Sequence, residues 1–308
     1  MGKMEKIVVH ELRKSYGAVQ ALRGVSFTVR EGEVFGLLGP NGAGKTTTVE
    51  IIEGLRKQDS GEVLIDGRRV RPGLDDELKR KLGVQLQEAR FPDKLKVREL
   101  LGLYTSYYRR PSAAVGELLE LVGLTEKAGS LIEKLSGGQK RRLSLAVALA
   151  GDPELVFLDE PTTGLDPQGR RQLWELIRAM KAQGRTVILT THYIEEAEAL
   201  CDRVGIIDLG ELIALGPPQD LIEESGLEST VTLRYDHDGE LDLEALRGLP
   251  GVRALKEQDE GRLRVETTDV DRFLRELFRR FPEVEIERLQ RPNLEDVFLA
   301  LTGRELRE

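Results

Sequence analysis

Apolar residues near the start of the chain occur in short runs separated by glycines. The runs Ile7–Val9, Val25–Val29 and Val34–Phe35 show this spacing, which is typical of short antiparallel strands. Beyond them, short apolar strands such as Leu155–Leu158 and Thr186–Leu189 alternate with helical patterns. This alternation predicts a mainly parallel α/β sheet.

One helix can be placed from its first residues. Asp166 followed by Pro167 is typical of an N-cap with proline at the first helical position. The apolar residues that follow at helical spacing predict a helix buried on one face, and they are Leu173, Leu176, Ile177 and Met180.

The pattern restarts after the loop at residues 224–226, which predicts one domain over residues 1–225 and a second over 226–308. The second domain has strand and helix patterns in the order βαββαβ, which favours a small α+β, ferredoxin-like unit. The predicted elements are strands at 230–235, 252–256, 262–267 and 284–289, and helices at 241–246 and after Asp269.

Two apolar stripes mark the helices of the second domain. The helix after Asp269 carries Val270, Phe273, Leu274, Leu277 and Phe278, and a final helix after Asn293 carries Leu294, Val297, Phe298 and Leu301. The final stripe has two interpretations. It packs on its own small sheet, or it contacts a second copy and stabilises a dimer.

Composition narrows the class of protein. The chain has 308 residues, 40% of them hydrophobic, which is enough for two folded domains. Its formal charge of −8 argues against nucleic acid as a partner. The single cysteine, Cys201, is expected to be a small buried residue in a reducing compartment. No apolar stretch of membrane-spanning length or secretion signal is evident, so we expect a chain that is neither inserted nor secreted.

A glycine-rich segment follows the strand-like run Val34–Leu38. Residues 39–46 fit the phosphate-binding loop pattern. Such glycines let backbone N–H groups surround phosphate oxygens at a helix N-terminus. Lys45 would reach the β- and γ-phosphates, and the Thr46 hydroxyl would bind Mg²⁺. The segment therefore predicts an ATP and magnesium site.

A second strand ends in two carboxylates. Asp159 and Glu160 follow the apolar run Leu155–Leu158. We expect Asp159 to complete the magnesium shell and Glu160 to polarise the attacking water, because hydrolysis needs a group that orients water towards the γ-phosphorus.

The segment Leu135–Gln139 resembles the signature motif of ABC ATPases. In the order of that family, Gln87 is similar to the Q-loop glutamine, Gly164–Asp166 to the D-loop, and His192 to the switch histidine. Tyr16 resembles the aromatic residue that stacks on adenine; the alternative, which stacking arguments favour less, is a half-buried strand tyrosine. The resemblance covers residues 6 to about 220.

The resemblance implies a two-lobed fold, in which an antiparallel β subdomain precedes the parallel sheet and a helical subdomain lies near residues 88–140. It also implies that two chains, identical or related, enclose each ATP between Lys45 of one and Ser136 of the other. The residues expected to contact ATP are Tyr16, Gly39, Pro40, Asn41, Gly42, Ala43, Gly44, Lys45, Thr46, Thr47, Ser136, Gly137, Gly138, Gln139 and Asp166. The expected catalytic residues are Glu160, His192 and Gln87, and the expected magnesium ligands are Thr46, Gln87 and Asp159.

Two features depart from the family pattern. Many relatives have proline before the Q-loop glutamine, whereas Leu86 stands there and Gln85 is a second candidate for the role of Gln87. The basic cluster Lys140–Arg142 after the signature is expected to face solvent or phosphate charge.

Three short segments resemble the daunorubicin-resistance-type exporter ATPases, and these are residues 36–41, 191–197 and 292–298. Members of that branch export drugs, lipids or polysaccharides through a separate membrane-spanning permease. The resemblance implies a peripheral ATPase at the cytoplasmic face of the membrane, with ATP and Mg²⁺ as cofactors. The alternatives are the ATPase of an importer and an ABC ATPase that acts on ribosomes or DNA, which fits the acidic charge less well.

Overall fold

The computed structural model describes residues 4–85, 91–235, 241–258 and 261–304. Contacts within the chain divide it into two compact units, and the division falls between Pro218 and Gln219.

The first unit contains ten strands and most of the helices. Its strands are β1 (Glu5–Tyr16), β2 (Val19–Arg30), β3 (Val34–Leu38), β4 (Ser60–Ile65), β5 (Arg68–Arg69), β6 (Leu82–Gln85), β7 (Leu155–Asp159), β8 (Thr186–Thr191), β9 (Arg203–Asp208) and β10 (Glu211–Gly216). Its helices are α1 (Lys45–Ile52), α2 (Asp76–Lys81), α3 (Val97–Tyr107), α4 (Ala113–Leu121), α5 (Gly137–Ala148), α6 (Pro167–Ala182) and α7 (Ile194–Leu200), while α8 (Pro218–Glu224) begins at the division.

The first sheet is antiparallel, in the order β2-β1-β4-β5. Strands β1 and β2 have 12 residues each and form a hairpin with several bulges, so the strands here are longer than the apolar runs suggest. Bulges shift which residues face inward, and this breaks the regular alternation from which strand length is read.

The second sheet has the order β10-β9-β3-β8-β7-β6, and only β10 runs antiparallel to its neighbour. Every residue of β3, β7 and β8 is buried, which explains their continuous apolar character. Val34 and Phe35 belong to this parallel sheet, so their placement among the antiparallel runs was wrong. Parallel strands end at one edge of the sheet, and the predicted site residues lie in the segments that follow β3, β7 and β8 at that edge.

Helices α3, α4 and α5 lie between β6 and β7 in the chain. Helix α6 begins as its sequence predicts, because the Asp166 side chain accepts a hydrogen bond from the Gly169 N–H and Pro167 is the first helical residue. Its predicted stripe is buried, as is Cys201. Among the residues that the structure describes, no helix is both long and apolar enough to cross a membrane.

The second unit confirms the predicted element order. It contains β11 (Ser229–Arg234), α9 (Leu243–Arg247), β12 (Val252–Gln258), β13 (Arg262–Thr267), α10 (Val270–Arg280), β14 (Glu285–Gln290) and α11 (Leu294–Thr302). The sheet is antiparallel with the order β12-β13-β11-β14, which is the ferredoxin-like arrangement.

Each of the two apolar stripes of this unit buries fewer residues than predicted. In α10, Phe273 and Leu277 are fully buried but Phe278 is 54% exposed. In α11, Val297 and Phe298 are buried within the single chain while Leu301 is 50% exposed. Phe278 lies eight residues after Val270 and therefore about 80° further around the helix, which turns it away from the face on which Phe273 and Leu277 are buried.

Candidate functional site

The carboxyl ends of β3, β7 and β8 bring three separate sequence segments together. Leu38 pairs with Thr191, and Asp159 pairs with Thr190. The phosphate loop follows β3, the acidic pair ends β7, and His192 follows β8. One edge of the parallel sheet therefore holds the predicted loop, carboxylates and histidine.

Two glycines of the phosphate loop are required by close packing. A Cβ at Gly39 would lie 2.1 Å from the carbonyl oxygen of Ile207, and a Cβ at Gly44 would lie 2.7 Å from that of Ala21. Gly44 also has a φ of 108° at the N-cap of α1, a conformation that side chains rarely adopt. The loop thus ends in a helix N-terminus, where free N–H groups favour an anion.

Lys45 is folded back against the loop. Its Nζ donates to the carbonyl oxygens of Gly39 at 2.8 Å and Pro40 at 3.1 Å, and it lies 3.8 Å from Oε1 of Glu160. Burial lowers the pKa of the Lys45 ammonium, while Glu160 and Asp159 act in the opposite direction. A buried cation at this position is available to pair with phosphate.

Asp159 joins the loop to the neighbouring strand. The Thr46 hydroxyl lies 3.3 and 3.4 Å from its two carboxylate oxygens, and the Thr190 hydroxyl donates to one of them. Thr190 was not predicted as a site residue, because only the register of β7 against β8 places it opposite Asp159.

Glu160 lies between a cation and a histidine. Its Oε1 is 3.3 Å from Nδ1 of His192 and 3.8 Å from Nζ of Lys45, and Thr163 donates to Oε2 at 3.4 Å. The residue has a φ of 44°, in the left-handed region that costs about 1–2 kcal/mol outside glycine. Among the described residues, the buried Nε2 of His192 makes no hydrogen bond. Within the described structure, the His192 side chain thus offers a ring nitrogen without a hydrogen bond beside the Glu160 carboxylate.

The signature segment forms the start of α5. Ser136 is its N-cap, and a capping box links Ser136 and Gln139 at 3.0 and 3.2 Å. Ser136 and Gly137 are exposed. Within the described part of the chain, the side-chain hydrogen bonds of Ser136 stay in its own helix and reach no member of the carboxylate cluster.

The expected adenine contact and the expected Q-loop glutamine have different outcomes. Tyr16 ends β1, is 40% exposed, and has the cations of Lys14 and Arg56 over its ring at 5.5 and 5.2 Å. Gln87 lies outside the described residues. The competing candidate, Gln85, is buried, and its amide donates to the main-chain oxygen of Arg141 at 3.1 Å.

The expectation for the basic cluster after the signature was wrong at Arg141. Lys140 is exposed, but Arg141 turns inward and donates to main-chain carbonyls of the segment that ends β7. A run of three basic residues on a helix cannot show which one faces the protein until the packing of that helix is known.

Known proteins are similar to this chain in sequence. The family model described as ABC transporter matches residues 22–163. The linearmycin resistance ATP-binding protein LnrL of Bacillus subtilis (strain 168) is 39% identical over 96% of this chain and 98% of that protein. The Nod factor export ATP-binding protein I of Rhizobium meliloti (strain 1021) is 42% identical over 98% of this chain and 89% of that protein.

Solved structures of ABC transporter cassettes are also similar to this chain. An ATP-binding cassette of an ABC transporter in its ADP conformation is 26% identical, covers 70% of this chain and 92% of its own, and has a TM-score of 0.63. A dimeric bacterial ABC transporter cassette is 29% identical, covers 68% and 98%, and also has a TM-score of 0.63.

The phosphate loop, the acidic strand end and the parallel sheet define a nucleotide-binding P-loop ATPase. With the relatives that match along its whole length, the chain belongs to the ABC transporter family of ATP-binding subunits. It is an ATP-binding and ATP-hydrolysing subunit.

Proposed function

We propose that this chain hydrolyses ATP with Mg²⁺ to drive export of a drug, lipid or polysaccharide through a separate membrane-spanning permease. The position of Glu160 between Lys45 and His192 carries the hydrolytic part of the proposal. The names of the full-length relatives, which refer to linearmycin resistance and Nod factor export, support the direction of transport.

The residues at the loop fit a magnesium–nucleotide complex. Thr46 and Asp159 offer hydroxyl and carboxylate oxygens, which Mg²⁺ prefers. The described residues contain no cluster of three or more histidine, cysteine or acidic side chains arranged for a metal. A site with few protein ligands suits Mg²⁺, since this ion usually keeps water and substrate phosphates in its shell. Thr46 and Asp159 would hold the ion, which neutralises phosphate charge when bound; Gln87 is proposed as a further ligand.

Glu160 is proposed as the group that orients the attacking water and accepts its proton. Its carboxylate is held beside His192, whose free Nε2 can contact the γ-phosphate. Lys45 exchanges its loop carbonyls for phosphate oxygens and stabilises the charge of the transition state. These residues bind, orient and stabilise, which is most of what phosphoryl transfer requires.

The exposed start of the signature helix supports a site shared between two chains. Ser136 and Gly137 at the start of α5 are exposed, and a helix N-terminus attracts phosphate. We therefore assign Ser136, Gly137, Gly138 and Gln139 to the nucleotide of a partner copy. The partner is a second copy or a related subunit, and the pair works beside the membrane at its cytoplasmic face.

The roles of Lys45 and Glu160 are separable by two variants. Lys45→Ala should abolish ATP binding, whereas Glu160→Gln should bind ATP and cleave it about 100-fold or more slowly, because only the second change leaves the loop intact. Equilibrium nucleotide binding and single-turnover cleavage measure the two effects. Normal cleavage by Glu160→Gln would show that another group activates the water.

Mixed dimers test the shared site. Lys45→Ala and Ser136→Arg chains should each be inactive alone, and the mixture should regain part of the ATPase activity, since one site then has both intact residues. A Ser136→Arg chain with full activity would show instead that each site lies within one chain.

Vesicles that contain the permease test the direction of transport. In inside-out vesicles with the ATPase facing the medium, an exporter accumulates its substrate when ATP is added, and the Glu160→Gln complex serves as the control. Release of preloaded substrate would identify the importer alternative.

We also propose that residues 226–308 stabilise the dimer and take no part in the chemistry. Because Val297 and Phe298 are already buried in one chain, a contact surface would use exposed apolar residues such as Phe278, Leu299 and Leu301. Sedimentation velocity with ATP compares the full chain with one truncated after Ser225. Equal dimerisation of the two would refute this role.

A further inference from the structure

The main chain at Glu160 is fixed from its amino side by strand β8. The Glu160 N–H donates to the carbonyl oxygen of Thr190 at 3.2 Å and to its hydroxyl at 3.0 Å. This residue has the left-handed φ of 44°, which a glutamate adopts only where its surroundings impose it. These two bonds fix the N–H of Glu160, while its carbonyl oxygen accepts from the Thr163 N–H at 3.3 Å and has room for a second, shorter hydrogen bond.

Arg141 of helix α5 holds that other side. Its Nη2 donates to the carbonyl oxygens of Asp159 at 2.8 Å and Glu160 at 2.6 Å, and its Nε donates to that of Pro161 at 2.9 Å. One guanidinium therefore binds three successive carbonyls of the turn that carries the carboxylate.

The chemistry of the guanidinium suits this task. Three carbonyl oxygens that converge repel one another, and a planar cation with several fixed N–H groups offsets the repulsion and sets their directions. Burial lowers the pKa of Arg141, but a guanidinium keeps its charge. The helix is anchored in turn, because the amide of Gln85 donates to the main-chain oxygen of Arg141 at 3.1 Å.

We propose that Arg141 is a positioning residue for ATP hydrolysis, which holds the turn at Glu160 so that the carboxylate stays beside His192 and Lys45. The proposal rests on the proposed role of Glu160 in activating water. Arg141 lies five residues after Ser136 on the same helix. It therefore connects the helix end that would meet the partner's nucleotide with the carboxylate of this chain's own site.

The test compares Arg141→Met and Arg141→Lys with the matched control Arg142→Met. Arg142 is the next residue of the helix, and its Nη1 donates to Gln172 at 2.7 Å, away from the turn. Loss of the three bonds frees the turn, and a displacement of about 1 Å of a reacting group lowers the rate about 100-fold. We expect that loss in kcat for Arg141→Met, with KM for ATP unchanged to within about twofold, since the phosphate loop is intact.

Arg141→Lys keeps the charge but replaces the several fixed N–H groups of the guanidinium with one ammonium. Its rate should therefore lie between those of Arg141→Met and the unmodified protein. It also carries the test if Arg141→Met proves unfolded by circular dichroism. Arg142→Met should match the unmodified protein. Wild-type kcat in Arg141→Lys and Arg141→Met, or a rise in KM that accounts for the whole loss, would overturn the proposal.

A double variant shows whether Arg141 acts through Glu160. In the Glu160→Gln background, Arg141→Met should slow single-turnover cleavage by no more than about threefold, because the group it positions is already gone. A further loss of about 100-fold would place its effect elsewhere. If Glu160→Gln alone cleaves ATP normally, the proposed role of Glu160 in activating water fails, and this result does not depend on Arg141.

Discussion

The ionisation of Glu53 should make the first unit less stable as the pH rises. Glu53 follows the last turn of α1 and is 6% exposed. Burial, followed by the nearby charges of Asp159 and Glu50, raises the pKa of its carboxyl group from its ordinary value of 4.5 to about 8. The folded chain thus keeps a neutral carboxyl that ionises readily once the chain unfolds.

The sign of the effect follows from proton linkage. Below about pH 4.5 the group is protonated in both states and contributes no pH dependence. Between about pH 4.5 and 8 the unfolded chain releases the proton and the folded chain does not, so the free energy of unfolding falls. Each pH unit in that window costs about 1.4 kcal/mol, which gives a loss of about 4 kcal/mol between about pH 5 and 8.5.

Glu53→Gln should remove this dependence, because an amide does not titrate. Urea unfolding at about pH 5, 7 and 8.5 measures the free energy at each pH. The control is Glu120→Gln, which replaces an exposed carboxyl on α4 of the same unit. The expected result is a shallower fall in stability for Glu53→Gln than for the other two proteins. Equal slopes in all three would refute the assignment of the effect to Glu53.

Three further perturbations test other parts of the structure. Gly39→Ala should abolish nucleotide binding, which nucleotide titration measures, because its Cβ would lie 2.1 Å from a backbone oxygen. Gly116→Ala, in an open helical position, should raise stability by about 0.5–1 kcal/mol, which thermal unfolding measures. Phe298→Ala should destabilise the second unit by about 3–5 kcal/mol and Leu301→Ala far less, because only the Phe298 side chain is buried. Urea unfolding measures both losses, and equal losses would contradict the burial of Phe298. Tyr16→Ala should weaken ATP binding by about 1–3 kcal/mol, with Tyr16→Phe unchanged, if the ring stacks on adenine; isothermal titration measures this, and unchanged binding would exclude stacking.

Local patterns in the sequence predicted much of this protein. The phosphate loop depends on glycine conformations and on a strand followed by a helix, which are short-range properties. The N-cap at Asp166 and the continuous apolar strands are also local, and the structure confirms them. The element order of the second unit was likewise readable from strand and helix periods.

Contacts between distant segments required the tertiary structure. Thr190 reaches Asp159 only through the register of two parallel strands, and Arg141 reaches the turn at Glu160 only through the rotation of α5. Neither the strand register nor the rotation of the helix leaves a pattern in the nearby residues. The apolar stripe of α10 was readable, yet the exposure of Phe278 became visible only in the folded chain.

The sequence by itself predicted which groups would carry the chemistry, because the phosphate loop, the acidic strand end and the N-cap of the signature helix are each encoded by a few adjacent residues. Only the tertiary structure decided how those groups are held and charged. The left-handed turn at Glu160, the three carbonyls on Arg141 and the raised pKa of Glu53 all arise from burial and convergence of residues far apart in the chain. Desolvation and directional hydrogen bonding depend on the full set of neighbours, and those neighbours meet only in the folded protein.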